Sequence, residues 1–264
     1  MRTVQFAKDS SALFEKAGLK SFADFFNYSE GVTINKNQKR DVLAFSLGAA
    51  NEQRHFFMKR FFNPHYKDML FTFLNFGRLC SQAACEWKNA NTLLQNDIPT
   101  YIPVCCGEET RLRLERKSFL ITEKLPGCCL TDFIRDNWST LGRDKKEKLT
   151  ASLGRFVRKI HGARISMPDL YIWHIFMQSK DDKCNFAVID LHRMSADARG
   201  NRWRIRNLGA LDFSMISKYF DQDLRDAFFH AYFGNDFDTD KAAFCRKVTN
   251  RSMVLANRRR RPDY

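Results

Sequence analysis

Phe186-Ala-Val-Ile-Asp-Leu-His-Arg193 is a short apolar run that ends in a carboxylate, a histidine and an arginine, with no Gly or Pro turn to absorb them. It reads as a buried strand that delivers Asp190 to its end. About twenty residues upstream lies Met167-Pro-Asp-Leu-Tyr-Ile-Trp-His174, which carries a second carboxylate, Asp169. Two carboxylates at the ends of neighbouring strand-like segments suit phosphoryl transfer. One orients or deprotonates an acceptor hydroxyl, and the other holds Mg²⁺ on nucleotide phosphates. Each carboxylate alone is equally an ordinary strand-end or turn residue, so the pair gains meaning from what precedes it.

The upstream order fits. His55-Phe-Phe-Met-Lys-Arg-Phe-Phe62 reads as a strand with Lys59 inside an aromatic run. Such a lysine either snorkels to solvent or, in a kinase, pairs with the nucleotide phosphates and with a helix glutamate. A helix is predicted over Ser81–Gln95, with Ala83, Ala84, Trp87, Ala90 and Leu94 at helical spacing. Glu86 borders that stripe and is placed to meet Lys59, or to sit exposed as most helical glutamates do. Lys117-Ser-Phe-Leu-Ile-Thr-Glu-Lys-Leu-Pro-Gly127 is a strand broken by Pro-Gly, which suits a hinge at Glu123.

Taken in order, Met58-Lys59, Glu86-Trp87, Ile121-Thr-Glu123, Asp169-Leu-Tyr-Ile-Trp-His174 and Ile189-Asp-Leu-His-Arg193 resemble the Kdo/WaaP lipopolysaccharide core kinase family. Arg202-Trp-Arg-Ile-Arg-Asn-Leu-Gly-Ala-Leu-Asp-Phe-Ser214 looks like the stretch that follows the metal-binding Asp there. The resemblance spans roughly residues 40 to 235. It implies an α+β, protein-kinase-like two-lobed fold. Residues 1–125 would form a small, mainly antiparallel N-lobe with one key helix, and 126–264 a larger, mainly helical C-lobe. It implies transfer of phosphate from ATP to a Kdo or heptose of the lipopolysaccharide inner core. Lys59, Glu86 and Glu123 would serve the nucleotide, Asp169 would be the catalytic base, and Asp190 with His174 would hold Mg²⁺. Tyr171 stands where many protein kinases place a lysine, so Arg193 either supplies the missing cation or pairs with a local carboxylate.

Two features depart from the kinase pattern. Met167-Pro168 replace the His-Arg that usually precedes the catalytic Asp; Pro168 biases Met167 towards an extended conformation. No Gly-x-Gly-x-x-Gly is present. Phe45–Glu52 lies too close to the Lys59 strand, so the phosphate-covering turn is expected at Ser29–Asn35.

The net charge of +14 is spread along the chain and favours anionic partners: phospholipid head groups, the core glycolipid or nucleic acid. No RNA-recognition or helix-turn-helix pattern accompanies it, so no nucleic-acid partner is expected. No run reaches the roughly 18 apolar residues of a membrane span, and the N-terminus lacks the apolar core of a signal peptide. The expectation is a cytoplasmic protein, peripheral on the inner membrane, with reduced cysteines and no zinc site. Tyr66–Leu79, apolar and aromatic, is either a helix packed on the small lobe or a surface dipping into the lipid leaflet. Further helices are expected over Ser11–Tyr28, Leu130–Trp138, Lys145–His161 and near 205–218, 221–233 and 238–256, with a frayed Arg-rich tail. Three other functions remain open: a kinase of this fold acting on protein or an aminoglycoside-like molecule, a catalytically silent scaffold, and a nucleic-acid-binding protein.

Overall fold

A computed structural model describes residues 1–49, 51–62, 64, 79–112, 114–180, 183–235, 240–260 and 262–264. The Tyr66–Leu79 stretch, apart from Leu79, lies outside them. The chain divides into two compact units, Met1–Leu125 and Pro126–Tyr264.

The first unit is built on a six-stranded antiparallel sheet of order β1-β5-β6-β4-β3-β2. Its strands are β1 (Arg2–Phe6), β2 (Val32–Lys36), β3 (Arg40–Leu47), β4 (Arg54–Phe61), β5 (Pro103–Arg111) and β6 (Leu114–Glu123). Phe56 and Met58 of β4 and Phe119 and Ile121 of β6 point to one face. There they meet Phe14, Phe22, Phe25 and Phe26 in an aromatic core. Those phenylalanines come from α1 (Ser11–Lys16) and α2 (Phe22–Phe26). A single helix over Ser11–Tyr28 does not form. Gly18 turns left-handed at φ 78°, and Ser21 with Asp24 builds a capping box that starts a new helix. Arg60 clamps α2 to the sheet: it pairs with buried Asp41 and donates to the carbonyls of Phe26 and Tyr28. Helix α3 (Gln82–Gln95), capped by Ser81, covers the other face.

The second unit holds β7 (Cys128–Cys129), β8 (Ile175–Lys180) and β9 (Lys183–Val188), paired antiparallel in that order. Around them lie α4 (Leu130–Asn137), α5 (Arg143–Gly162), α6 (Arg202–Ser214), α7 (Gln222–Phe233) and α8 (Lys241–Ala256). Gly154 lets α5 and α7 touch: a Cβ there would lie 2.4 Å from the Phe228 carbonyl oxygen. The C-terminus is docked rather than frayed. Tyr264 donates to the Ser214 carbonyl at 2.7 Å, stacks on Tyr219 and accepts the Tyr219 hydroxyl at its own carbonyl. Its apolar ring and satisfied backbone outweigh the charge of the preceding arginines.

His161 of α5 is buried edge-on to Trp203 and shares a 2.8 Å hydrogen bond with Tyr232. Burial pushes its pKa from 6.5 down to about 3. The unfolded chain therefore binds a proton that the native one refuses between those values. This contribution to stability is complete above pH 6.5 and falls by roughly 1 kcal/mol per unit as the pH drops towards 3. Thermal melts between pH 7.5 and 4.5 are expected to fall more steeply for the wild type than for His161→Gln; parallel slopes would exclude this source of acid sensitivity.

Candidate active site

In the first unit the alternation of β4 turns Lys59 away from the aromatic core and towards α3. Its ammonium lies 2.5 Å from the Glu86 carboxylate, with both side chains largely buried. Tyr101 donates to the second Glu86 oxygen at 3.1 Å. The rotation of α3 that aims Glu86 is set at its N-terminus. Free N–H groups of the first turn need acceptors. Gln82 N–H donates to Glu115 and Ala83 N–H to Ser118, and the Ser118 hydroxyl donates to Glu115. Glu115, Ser118 and Tyr101 were not legible as site residues. Glu115 and Ser118 lie three residues apart in β6 among other polar residues, so nothing in the sequence sets them apart.

Glu123 stands apart from this pair. Its carboxylate is engaged by Arg54 and its N–H by the Ile102 carbonyl. The segment expected to hold a phosphate-covering turn is instead largely strand: Val32–Lys36 is β2, and residues 37–39 join it to β3. There Asn37 Oδ1 accepts the N–H groups of Lys39 and Arg40, a side-chain clasp that needs no glycine.

In the second unit Asp169 sits not at a strand end but in a loop ahead of a 3₁₀ turn, Ile172–His174. Helix α6 fixes this loop at both ends. Buried Asn207 accepts Met167 N–H at 2.7 Å, and buried Ser214 accepts Ile172 N–H at 2.9 Å. With its N–H bonded and its side chain buried, Met167 is held in place without the His-Arg pair of other kinases. Neither Asn207 nor Ser214 was anticipated from the sequence.

Asp169 pairs with Arg193, one guanidinium nitrogen lying 3.1 and 3.2 Å from its two oxygens. Of the two roles open to Arg193, the geometry shows pairing with a carboxylate, and that carboxylate is Asp169 itself. His174 Nδ1 lies 2.8 Å from the Asp169 carbonyl oxygen. A carbonyl only accepts, so Nδ1 carries a proton. Nε2 faces Asp190 Oδ2 at 3.7 Å. Asp190 follows β9 with a left-handed φ of 59°, a conformation costing roughly 1 kcal/mol or more for a non-glycine residue. It is held by the Ile189 N–H bond to the His174 carbonyl and by His192, whose Nδ1 lies 3.1 Å from Oδ1.

The Asp190 carboxylate suits a hard cation, and the imidazole is a borderline donor. When its Nε2 is deprotonated, the two atoms, 3.7 Å apart, can both reach one ion, since each metal–ligand bond is about 2.1 Å long. The Asp169 carbonyl, accepting from Nδ1, already orients the ring as ligating histidines require.

A six-stranded antiparallel unit in which a strand lysine pairs with a helix glutamate, and a helical unit with this carboxylate loop, define a kinase-like α+β fold. The lipopolysaccharide kinase (Kdo/WaaP) family matches residues 25–232, and the chain belongs to it. A protein of Escherichia coli (strain K12) named lipopolysaccharide core heptose(I) kinase WaaP is 30% identical over 212 residues, 77% of this chain and 78% of that one. A protein of the same name from Pseudomonas aeruginosa is 29% identical over 138 residues, 50% of this chain and 52% of its own. A solved structure titled WaaP in complex with acyl carrier protein shares the fold. It has a TM-score of 0.71 at 22% identity and covers 96% of this chain and 99% of that one. The chain is therefore a phosphotransferase with an alcohol group as acceptor.

Removing one partner of the Lys59–Glu86 pair leaves a buried charge unmatched, at a cost of about 3–5 kcal/mol. Lys59→Met and Glu86→Leu are each expected to lower the melting temperature sharply, and the double variant to recover most of the loss while staying inactive. Additive losses in calorimetry would show that the two groups are not coupled.

Proposed function

We propose that this chain transfers the γ-phosphoryl group of ATP to a heptose hydroxyl of the lipopolysaccharide inner core. The observation that carries the reading is the dual role of His174. Through one ring nitrogen it holds the Asp169 peptide, and through the other it faces Asp190, so the acceptor carboxylate and the metal-binding carboxylate share one frame. The relatives named heptose(I) kinase support heptose as the sugar.

Asp169 accepts the proton of the acceptor hydroxyl as its oxygen forms the new O–P bond and the bridging bond to the leaving ADP breaks. Arg193 holds the carboxylate in orientation. Lys59, aligned by Glu86, donates to the nucleotide phosphates. His174 and Asp190 would hold Mg²⁺, which supplies charge neutralisation on those phosphates when bound. The backbone bonds from Asn207 and Ser214 keep Asp169 from shifting, which matters because displacement of about 1 Å costs about a hundredfold in rate.

Asp169→Asn is expected to lower phosphate transfer to extracted core glycolipid by roughly 10²–10⁴-fold while nucleotide binding persists. Asp190→Asn is expected to weaken binding of the metal–nucleotide complex as well. Transfer by Asp169→Asn at the wild-type rate would remove it as the base.

We further propose that the protein works on the cytoplasmic face of the inner membrane, where ATP and a lipid-anchored acceptor meet. Among the described residues no helix is long and apolar enough to cross a membrane, and the net charge of +14 favours an anionic surface. Co-sedimentation with vesicles containing anionic lipid is expected at low salt and to be lost as salt shortens the screening length to a few ångströms. Binding equally to zwitterionic vesicles would contradict this placement.

A further inference from the structure

Four arginines of the second unit gather about Asp169 and Tyr171. Arg193 comes from the segment after β9, Arg206 from α6, Arg251 from α8 and Arg259 from the tail. Arg193 pairs with Asp169. Arg259 donates to the Tyr171 hydroxyl at 2.6 Å, with its guanidinium carbon 5.4 Å from that ring's centroid. Arg251 lays its stem on Gly209, one turn from Arg206, where a Cβ would come within 2.4 Å of it. Its Nε is buried and makes no hydrogen bond. Arg206 forms no ion pair among the described residues, although it lies within electrostatic reach of Arg193, Arg251 and Asp169.

The cluster is out of balance. Asp169 is the one carboxylate that an arginine of this group pairs with among the described residues. By contrast, two arginines elsewhere in the second unit have acids of their own: Arg225 takes Asp212, and Arg143 takes Asp221, Asp223 and Glu147. Burial, together with the charges of Arg193 and Arg251, holds the Arg206 guanidinium below its ordinary value. Four like charges held together cost free energy in the empty protein, and an incoming anion recovers it. Planar guanidinium forks match carboxylate and phosphate oxygens two at a time.

We propose that Arg206, Arg251 and Arg259 form a receiving site for an oxyanion carried by the acceptor sugar, a carboxylate or a phosphate monoester, which seats the reacting hydroxyl against Asp169. The inference rests on the sugar-kinase reading above. It gives Tyr171 a purpose as well: its hydroxyl and its ring hold Arg259 beside the catalytic loop. Trp173, stacked on Tyr171 at 4.5 Å, backs that ring from the same loop. In this arrangement the cation that the catalytic loop lacks at position 171 is brought in by the tail and directed at the acceptor.

The test uses the full chain and core oligosaccharide in three forms: intact, carboxyl-reduced and phosphatase-treated. Arg206→Gln and Arg259→Gln are expected to raise the acceptor KM by about ten- to a hundredfold and to leave the nucleotide KM in place. Arg206→Lys should recover part of the loss. If the anion is a carboxylate, carboxyl reduction makes the wild type as poor as the variants; if it is a phosphate, phosphatase treatment does. An unchanged acceptor KM in both glutamine variants overturns the proposal, and so does wild-type KM on both treated acceptors.

A second readout separates this failure from failure of the sugar-kinase reading. Inorganic phosphate and sodium glucuronate should raise the melting temperature of the wild type, and should do so less for Arg206→Gln. If that protection is seen while no core acceptor is phosphorylated, the anion site stands and the sugar-kinase reading falls. Equal protection of variant and wild type overturns the site. Circular dichroism of each variant establishes that it is folded before either measurement is read.

Discussion

The Asp169 loop cannot support itself. A loop that buries its backbone loses water as a partner for its N–H groups, and each one left unpaired costs about 1–3 kcal/mol. Met167 and Ile172, at the two ends of this loop, are both buried. Helix α6 solves the problem with two buried polar side chains, Asn207 for one N–H and Ser214 for the other. Ser214 is itself satisfied, because its hydroxyl donates to the Leu211 carbonyl while it accepts from Ile172. Everything downstream inherits this frame. The Asp169 carbonyl is held where it accepts from His174 Nδ1, and His174 then faces Asp190 with Nε2.

The Lys59–Glu86 pair follows the same logic. A charge pair is stable inside protein only when its geometry is set by something other than the pair itself. Here the register of β4 between β3 and β6 fixes Lys59, and the bonds from the first turn of α3 to Glu115 and Ser118 fix Glu86. Those polar atoms lie on β6, the strand next to the one that carries the lysine. The sheet therefore positions both partners.

How far the sequence could be read follows from where each residue's signal lies. Lys59, Glu86, Asp169, His174 and Asp190 are polar residues set in apolar, periodic surroundings, so each stands out against its own neighbours. Strands β4 and β6 were legible for the same reason. Strand β1 was not: it is five residues long and is made a strand by β5, about a hundred residues away. Strand β2 is exposed along its whole length and shows no buried face to read. The break between α1 and α2 turns on Gly18 and the Ser21 cap, which an amphipathic pattern running through both helices hides. Asn207 and Ser214 were hidden by burial on all sides of α6, where no polar stripe marks which side chain has a partner. The tail was misjudged because its arginines outweigh Tyr264 in composition, while Tyr264 decides the docking.

The positive charge of the chain is likewise not one property. Arg60 is structural: with Asp41 and two carbonyls it fills its hydrogen-bonding fork and joins α2 to the sheet. Arg225 and Arg143 are similarly matched by acids. Of the arginines around Asp169, among the described residues only Arg193 pairs with a carboxylate, and that carboxylate is Asp169. Like charges held together oppose folding. Retaining an unmatched cationic cluster beside the base is consistent with stability given up at the site where a negatively charged substrate restores it.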